Sequence, residues 1–143
     1  MKKEIKRDWH LIDLEDQILG RSAVKIALLL MGKHKPTFSF NLEEGDYVVA
    51  INAAKIKVTG KKLSDKSYYS HSGYPGGLKE VTLSQQLAKD PRKVIEMAVK
   101  NMLPKNKLRD PRMSHLKVFP TSEHKYAVEL GLVTKKDKPS TSN

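Results

Sequence analysis

Cysteine is absent from the 143 residues, which excludes disulfides, thiolate catalysis and every zinc site built on cysteine ligands. Long apolar runs are absent too. The longest, Ile26 to Met31, falls far short of the roughly 20 residues a membrane-spanning helix needs. Lys and Asp enter within the first ten residues with no apolar stretch behind them, so a soluble chain without a secretory signal is expected and no membrane partner. The histidines, His10, His34, His71, His115 and His124, show neither HxxxH nor HExxH spacing. They read as five separate surface or core residues, and neither a metal nor another cofactor is expected. No internal repeat is visible.

What the chain has is positive charge, unevenly placed. Its 27 Lys and Arg against 16 Asp and Glu give a formal charge of +11 and a pI near 9.8. Residues 1–54 hold 8 basic and 8 acidic residues, so the whole surplus lies after position 54. Such a balance favours a polyanionic partner. Nucleic acid leads over an anionic membrane because the charges do not fall on one face of a basic amphipathic helix. A chain of this length suits one domain and can bury about 68–70% of its unfolded surface.

The pattern along the chain alternates strands and helices. After a charged, mobile arm (residues 1–8), Trp9 to Leu14 reads as a first strand with Trp9 in the core. A helix is expected over Arg21 to Met31, where Val24, Ala27, Leu28 and Met31 recur at helical spacing, Ile26, Leu29 and Leu30 widen the stripe, and Gly32 takes the C-terminal cap. Such a helix should be buried on most of its circumference. Tyr47 to Ile51 is a continuous β-prone run, as in a parallel strand covered on both faces. Asn52 to Lys55 reads as one turn and Ile56 to Thr59 as a short strand ended by Gly60. Residues 61–79 read as loop, with room for a short strand around Lys66 to Tyr69. Thr82 and Gln85 have capping-box spacing for a helix to Lys89, and Asp90-Pro91 opens another that Pro104 stops. A short turn over Met113 to Leu116 and a last strand over Lys117 to Phe119 follow. The expectation is an α/β fold: one domain over residues 9–133 with a mainly parallel sheet and helices on both faces, then a disordered tail over residues 134–143. Sheet order is not readable.

The basic half supplies candidate contacts with nucleic acid, each with a plainer alternative. Lys55, Lys57, Lys61 and Lys62, with Lys66 and Lys79 nearby, are spaced to reach several phosphates; the alternative is a solvated edge strand guarded by lysines. Tyr68, Tyr69 and Tyr74 suit stacking on unpaired bases. Neighbours on a strand face opposite ways, so one of Tyr68 and Tyr69 belongs outside, without a choice between them. His71 has no carboxylate at a convincing spacing and reads as a hydrogen-bonding loop residue. Gly76 and Gly77, within the turn from Gly73 to Lys79, suit close approach of backbone N–H groups to a phosphate, a tight turn being the alternative. Lys105, Lys107, Arg109 and Arg112 form a basic irregular segment fit to thread between RNA helices, or an ordinary solvated loop. Gly60-Lys61-Lys62 is no nucleotide-binding P-loop: the upstream glycine is absent and Lys62 stands where Ser or Thr must meet magnesium.

Gly45-Asp46-Tyr47-Val48-Val49, Val58-Thr59-Gly60-Lys61-Lys62, Tyr68-Tyr69 and His71 through Lys79 together resemble the central signature of the thirteenth large-subunit ribosomal protein family, bacterial type. Leu19-Gly20-Arg21, Gly32-Lys33-His34-Lys35-Pro36 and Met102-Leu103-Pro104-Lys105-Asn106 extend the resemblance over residues 9 to about 119. Departures gather late: Asn101 stands for a glycine, Arg109-Asp110-Pro111-Arg112 for a glycine-arginine pair, and Glu123-His124-Lys125-Tyr126 lacks a proline between two histidines. The resemblance implies a three-layer α/β/α domain and a non-enzymatic structural constituent of the large ribosomal subunit, binding ribosomal RNA early in assembly beside neighbouring ribosomal proteins in the cytoplasm. The competing class is a small α/β enzyme acting on a phosphorylated substrate, which should show paired acid and base groups.

Overall fold

The computed structural model describes residues 4–131; the tail expected over residues 134–143 lies outside them. In chain order the elements are β1 (Trp9–Asp13), α1 (Leu19–Met31), β2 (Tyr47–Ile51), a single 3-10 turn (Ala53–Lys55), α2 (Lys62–Asp65), β3 (Ser67–His71), β4 (Leu78–Thr82), α3 (Leu83–Lys89), α4 (Pro91–Met102), α5 (Arg109–Ser114) and β5 (Leu116–Val118). The apolar run of β2 becomes the central strand, parallel to β1 on one side and to β5 on the other. Its Val48, Val49 and Ala50 are wholly buried, as expected for a strand covered on both faces.

One core joins the Val48 and Ala50 side of the sheet, with Leu116 and Val118 of β5, to Ala23, Ile26 and Leu30 of α1 and Val94, Ile95 and Val99 of α4. The opposite side carries an aromatic stack, Trp9 on Tyr47 at 4.5 Å and Trp9 on Tyr126 at 5.2 Å between ring centroids. Trp9, expected in the core, is half-buried in this stack.

α1 shows why an apolar helix needs its partner before its inner face can be read. Leu19, Ala23, Ile26, Ala27 and Leu30 are buried, whereas Val24 and Leu28 face outward and are exposed. The helix is therefore half-covered and not enclosed. Gly32 closes it with φ 76°, and a Cβ at Gly45 would stand 1.7 Å from the Leu30 carbonyl oxygen. Only glycine permits that approach of the β2 entry to the end of α1.

Local signals are realised at α3 and α4. Thr82 Oγ1 accepts from the Gln85 N–H while the Gln85 side chain accepts from the Thr82 N–H. Asp90 accepts from the Arg92 N–H ahead of Pro91. One expectation fails locally and another is met only in part. Ile56 to Thr59 forms no ladder strand, only a bridge between Lys57 and Ile18. The stretch read as loop with room for a short strand around Lys66 to Tyr69 does hold that strand, β3, and pairs it with β4, which was not expected, in an antiparallel hairpin running from Ser67 with Thr82 to His71 with Leu78. Residues 6–8, read as part of a mobile arm, are tied to the body: Lys6 and Asp8 bond to Lys35 and Asp46, and Arg7 to the Glu43 carbonyl.

Candidate nucleic-acid interface

The β3–β4 hairpin stands beyond the core, its outer residues exposed. Strand alternation settles the tyrosine pair. Tyr68, opposite Val81, leans on the core and burial pushes its hydroxyl pKa up. Tyr69, opposite Glu80, is 66% exposed, with its hydroxyl 3.4 Å from the Glu80 carboxylate. Tyr69 and His71 share one face of the hairpin with Leu78, while Lys79 pairs with Ser70 on the other, so these three candidates do not form one cluster. Tyr74, at the tip, is 75% exposed.

The tip is organised by its own bonds. The Gly73 N–H donates to His71 Nδ1 at 2.9 Å, and the Gly77 N–H to the Tyr74 carbonyl at 3.0 Å. His71 thus hydrogen-bonds as expected, but from the end of β3 instead of a loop, and the Gly77 amide is already engaged. A Cβ at Gly77 would meet Ser72 Oγ at 2.0 Å, whereas Gly76 faces open space with φ 70°. The turn reading accounts for both glycines.

The lysines separate into two sets. Lys55 bonds Glu15 at 2.8 Å and Lys57 pairs with Asp16 at 3.0 Å; the hydrogen bond to Glu15 raises the Lys55 pKa. Their charges are answered by the β1–α1 loop. Lys61, Lys62 and Lys66 flank or enter α2 and are exposed, Lys66 lying 5.5 Å from the Tyr68 ring centre. A groove of about 300 Å³ beside them is lined by Ile18, Leu19, Val58, Leu83, Ala98 and Met102, with Thr59, Lys62, Lys66 and Asn101 as its polar groups. Among the described residues no carboxylate or histidine lines it.

The basic segment after Pro104 is not uniform. Lys105 and Lys107 are exposed in a turn and Arg109 is half-buried at the start of α5. Arg112 corrects the expectation of an irregular RNA-facing stretch: it lies in α5, 2% exposed, its guanidinium 3.5 Å from the Leu42 carbonyl. Burial lowers its pKa, against the opposing pull of Glu43.

A polar centre that no short-range signal announced lies at the entry to β2. Asp46 is wholly buried and receives His10 Nε2 and His34 Nε2, each at 2.8 Å, on one oxygen. Lys35 Nζ and the Asp8 N–H hold the other oxygen. Burial alone would raise the Asp46 pKa; the bonds from Lys35, His10 and Asp8 outweigh it and bring the carboxylate down to about 2. The partners come from β1, the turn after α1 and the start of β2, too far apart in the chain for any motif.

A sequence profile of the ribosomal protein L13 family matches residues 7–125. The chain belongs to that family. The large ribosomal subunit protein uL13 of Citrifermentans bemidjiense is 49% identical over 128 residues, 90% of each chain. That of Thermosipho africanus is 51% identical over 128 residues, 90% of this chain and 86% of its own. That of Thermotoga petrophila is 47% identical over 127 residues, 89% and 85% of the two chains. The family match spans β1 through β5 and includes the hairpin, α2 and the Asp46 centre. Among the described residues no helix is long and apolar enough to cross a membrane.

Proposed function

We propose that this protein is a structural constituent of the large ribosomal subunit, binding large-subunit ribosomal RNA early in assembly and remaining among neighbouring ribosomal proteins in the cytoplasm. The observation that carries the reading is the exposed basic and aromatic ground around α2 and the β3–β4 hairpin, projecting from a closed core in a chain of the ribosomal protein L13 family. Lys61, Lys62, Lys66 and Lys79 supply phosphate contacts, Tyr69 and Tyr74 present ring faces to unpaired bases, and Lys105, Lys107 and Arg109 extend the basic ground. His71, Gly76 and Gly77 shape the hairpin tip that carries Tyr74. Lys55 and Lys57 play a smaller part because each already has an acidic partner, and Arg112 is excluded by burial.

Mechanistically, lysines placed against close phosphates release condensed counterions and favour one compact RNA arrangement over looser ones. The role is non-enzymatic. The groove beside Lys62 and Lys66 could admit a phosphorylated compound, but the acid and base that an enzyme reaction there needs do not line it. Sedimentation of cell extract through a sucrose gradient tests the reading: the protein should travel with large-subunit particles at low salt. Recovery solely in the soluble fractions, with no affinity for ribosomal RNA, would refute it.

A further inference from the structure

We propose that His10, His34 and Asp46 form a binding site for one divalent transition-metal ion of the zinc class. His10 Nε2, His34 Nε2 and Asp46 Oδ2 all lie within 4.8 Å of one another, and two imidazoles with one carboxylate are a donor set that zinc accepts. Ligand bonds of about 2.0–2.2 Å in tetrahedral geometry place ligand atoms about 3.4 Å apart. Each histidine nitrogen, now 2.8 Å from Oδ2, has to retreat by about 0.6 Å, and the two nitrogens, within 4.8 Å of each other, have to settle at about 3.4 Å to hold the ion. A neutral imidazole that shifts its proton to Nδ1 frees Nε2 as a ligand.

The surroundings fit such a site. The other carboxylate oxygen is fixed by Lys35 and the Asp8 N–H, and Lys35 is itself held by the carbonyls of Lys6 and Glu44 at 2.7 and 2.8 Å. Outer bonds of this kind orient a ligating carboxylate. The histidine side chains are 33% and 38% exposed while Asp46 is sealed, which leaves an approach from solvent. The Lys35 charge opposes the ion, so the affinity should lie below that of closed structural zinc sites. The ion would join β1, the turn after α1 and β2 at a single point.

Calorimetric titration of the metal-free, full-length protein with Zn²⁺ alone tests this, with Co²⁺ absorption as a second readout. One ion per chain is expected, with a rise in melting temperature. His10→Gln and His34→Gln each keep a donor for Asp46 and remain folded by circular dichroism, yet should each bind at least about tenfold more weakly. His71→Gln serves as the surface control and should bind as the parent does. Absence of one-to-one binding by the parent protein, or undiminished binding by either of the two variants, would overturn the site and leave the three residues as a hydrogen-bonded clamp.

Discussion

The entry to β2 and the β3–β4 hairpin use the same residue types to opposite ends. At the entry, Lys35 is 15% exposed and its ammonium is committed to Asp46 and two carbonyls, while His10 and His34 turn inward on the same carboxylate. In and beside the hairpin, Lys61, Lys62, Lys66, Tyr69 and His71 are exposed. The difference lies in what surrounds each group. A buried carboxylate must be answered by donors or it costs several kcal/mol, so at the entry to β2 Lys35, His10 and His34 are committed to Asp46. The basic half has no such buried demand on these residues and leaves them for a partner.

The sharpest test of this division is Val49→Asp, which places a carboxylate in a wholly buried strand position without the partners that Asp46 has. It should cost several kcal/mol or force protonation, and abolish cooperative unfolding in a thermal melt. Next comes the pair that sequence spacing grouped together, Lys107 and Arg112. Arg112→Ala empties a buried position and removes the charge beside Glu43, and should destabilise by about 3 kcal/mol in urea titrations. Lys107→Ala, at an exposed turn, should change stability by less than about 0.5 kcal/mol. Equal losses would erase the distinction between committed and free charges.

What was legible beforehand was governed by local rules. The unbroken β-prone run became β2, the Thr82 and Gln85 spacing became a true capping box, and Gly32 took the left-handed cap. Only the first strand of the hairpin was legible, because Gly73, Pro75, Gly76 and Gly77 announce only a turn and β4 carries exposed Lys79 and Glu80 in place of an apolar alternation. The inner face of α1 was ambiguous because apolar residues lie on nearly all sides, and only packing against α4 and the sheet selects Ala23, Ile26 and Leu30. Of the candidate site, Lys61, Lys62 and Tyr74 could be read from composition. The pairing of Lys55 and Lys57 with Glu15 and Asp16, and the convergence of His10 and His34 on Asp46, are tertiary facts.

Smaller effects separate the two tyrosines. Tyr69→Ala should leave the melting temperature unchanged and weaken RNA binding by about 1–3 kcal/mol if its ring stacks on a base. Tyr68→Ala should lower the melting temperature first, because its ring packs on the core. A reversed pattern in paired melting and filter-binding assays would mean the hairpin presents its other face.

Acidity offers a milder probe of the buried half. Burial lowers the His115 pKa from its ordinary 6.5, with Glu43 only partly offsetting it. Below 6.5 the unfolded chain therefore takes up this proton before the folded chain does, and stability falls until the folded-state pKa is reached. The His115 contribution is complete above 6.5 and declines below it. His115→Gln should flatten that part of the stability profile as the pH falls below 6.5, measured as urea midpoints. An unchanged slope would show that His115 takes up its proton equally in the folded and unfolded chain, against the burial argument.

The least disruptive comparison sets two lysine pairs against each other. Lys61→Ala with Lys62→Ala removes exposed charges. If each meets one phosphate, the slope of log K against log salt should shrink by about 1.4–1.8. Lys55→Ala with Lys57→Ala removes the same formal charge, but these ammonium groups sit 2.8 and 3.0 Å from Glu15 and Asp16. To reach phosphate they must leave those carboxylates, which then stand unanswered near the RNA. Their loss should reduce the slope by less than about 1 and leave melting unchanged, since ion pairs this exposed add little to stability. Equal slope changes for the two pairs would show that RNA takes Lys55 and Lys57 from their acidic partners and that the basic ground reaches back to the sheet.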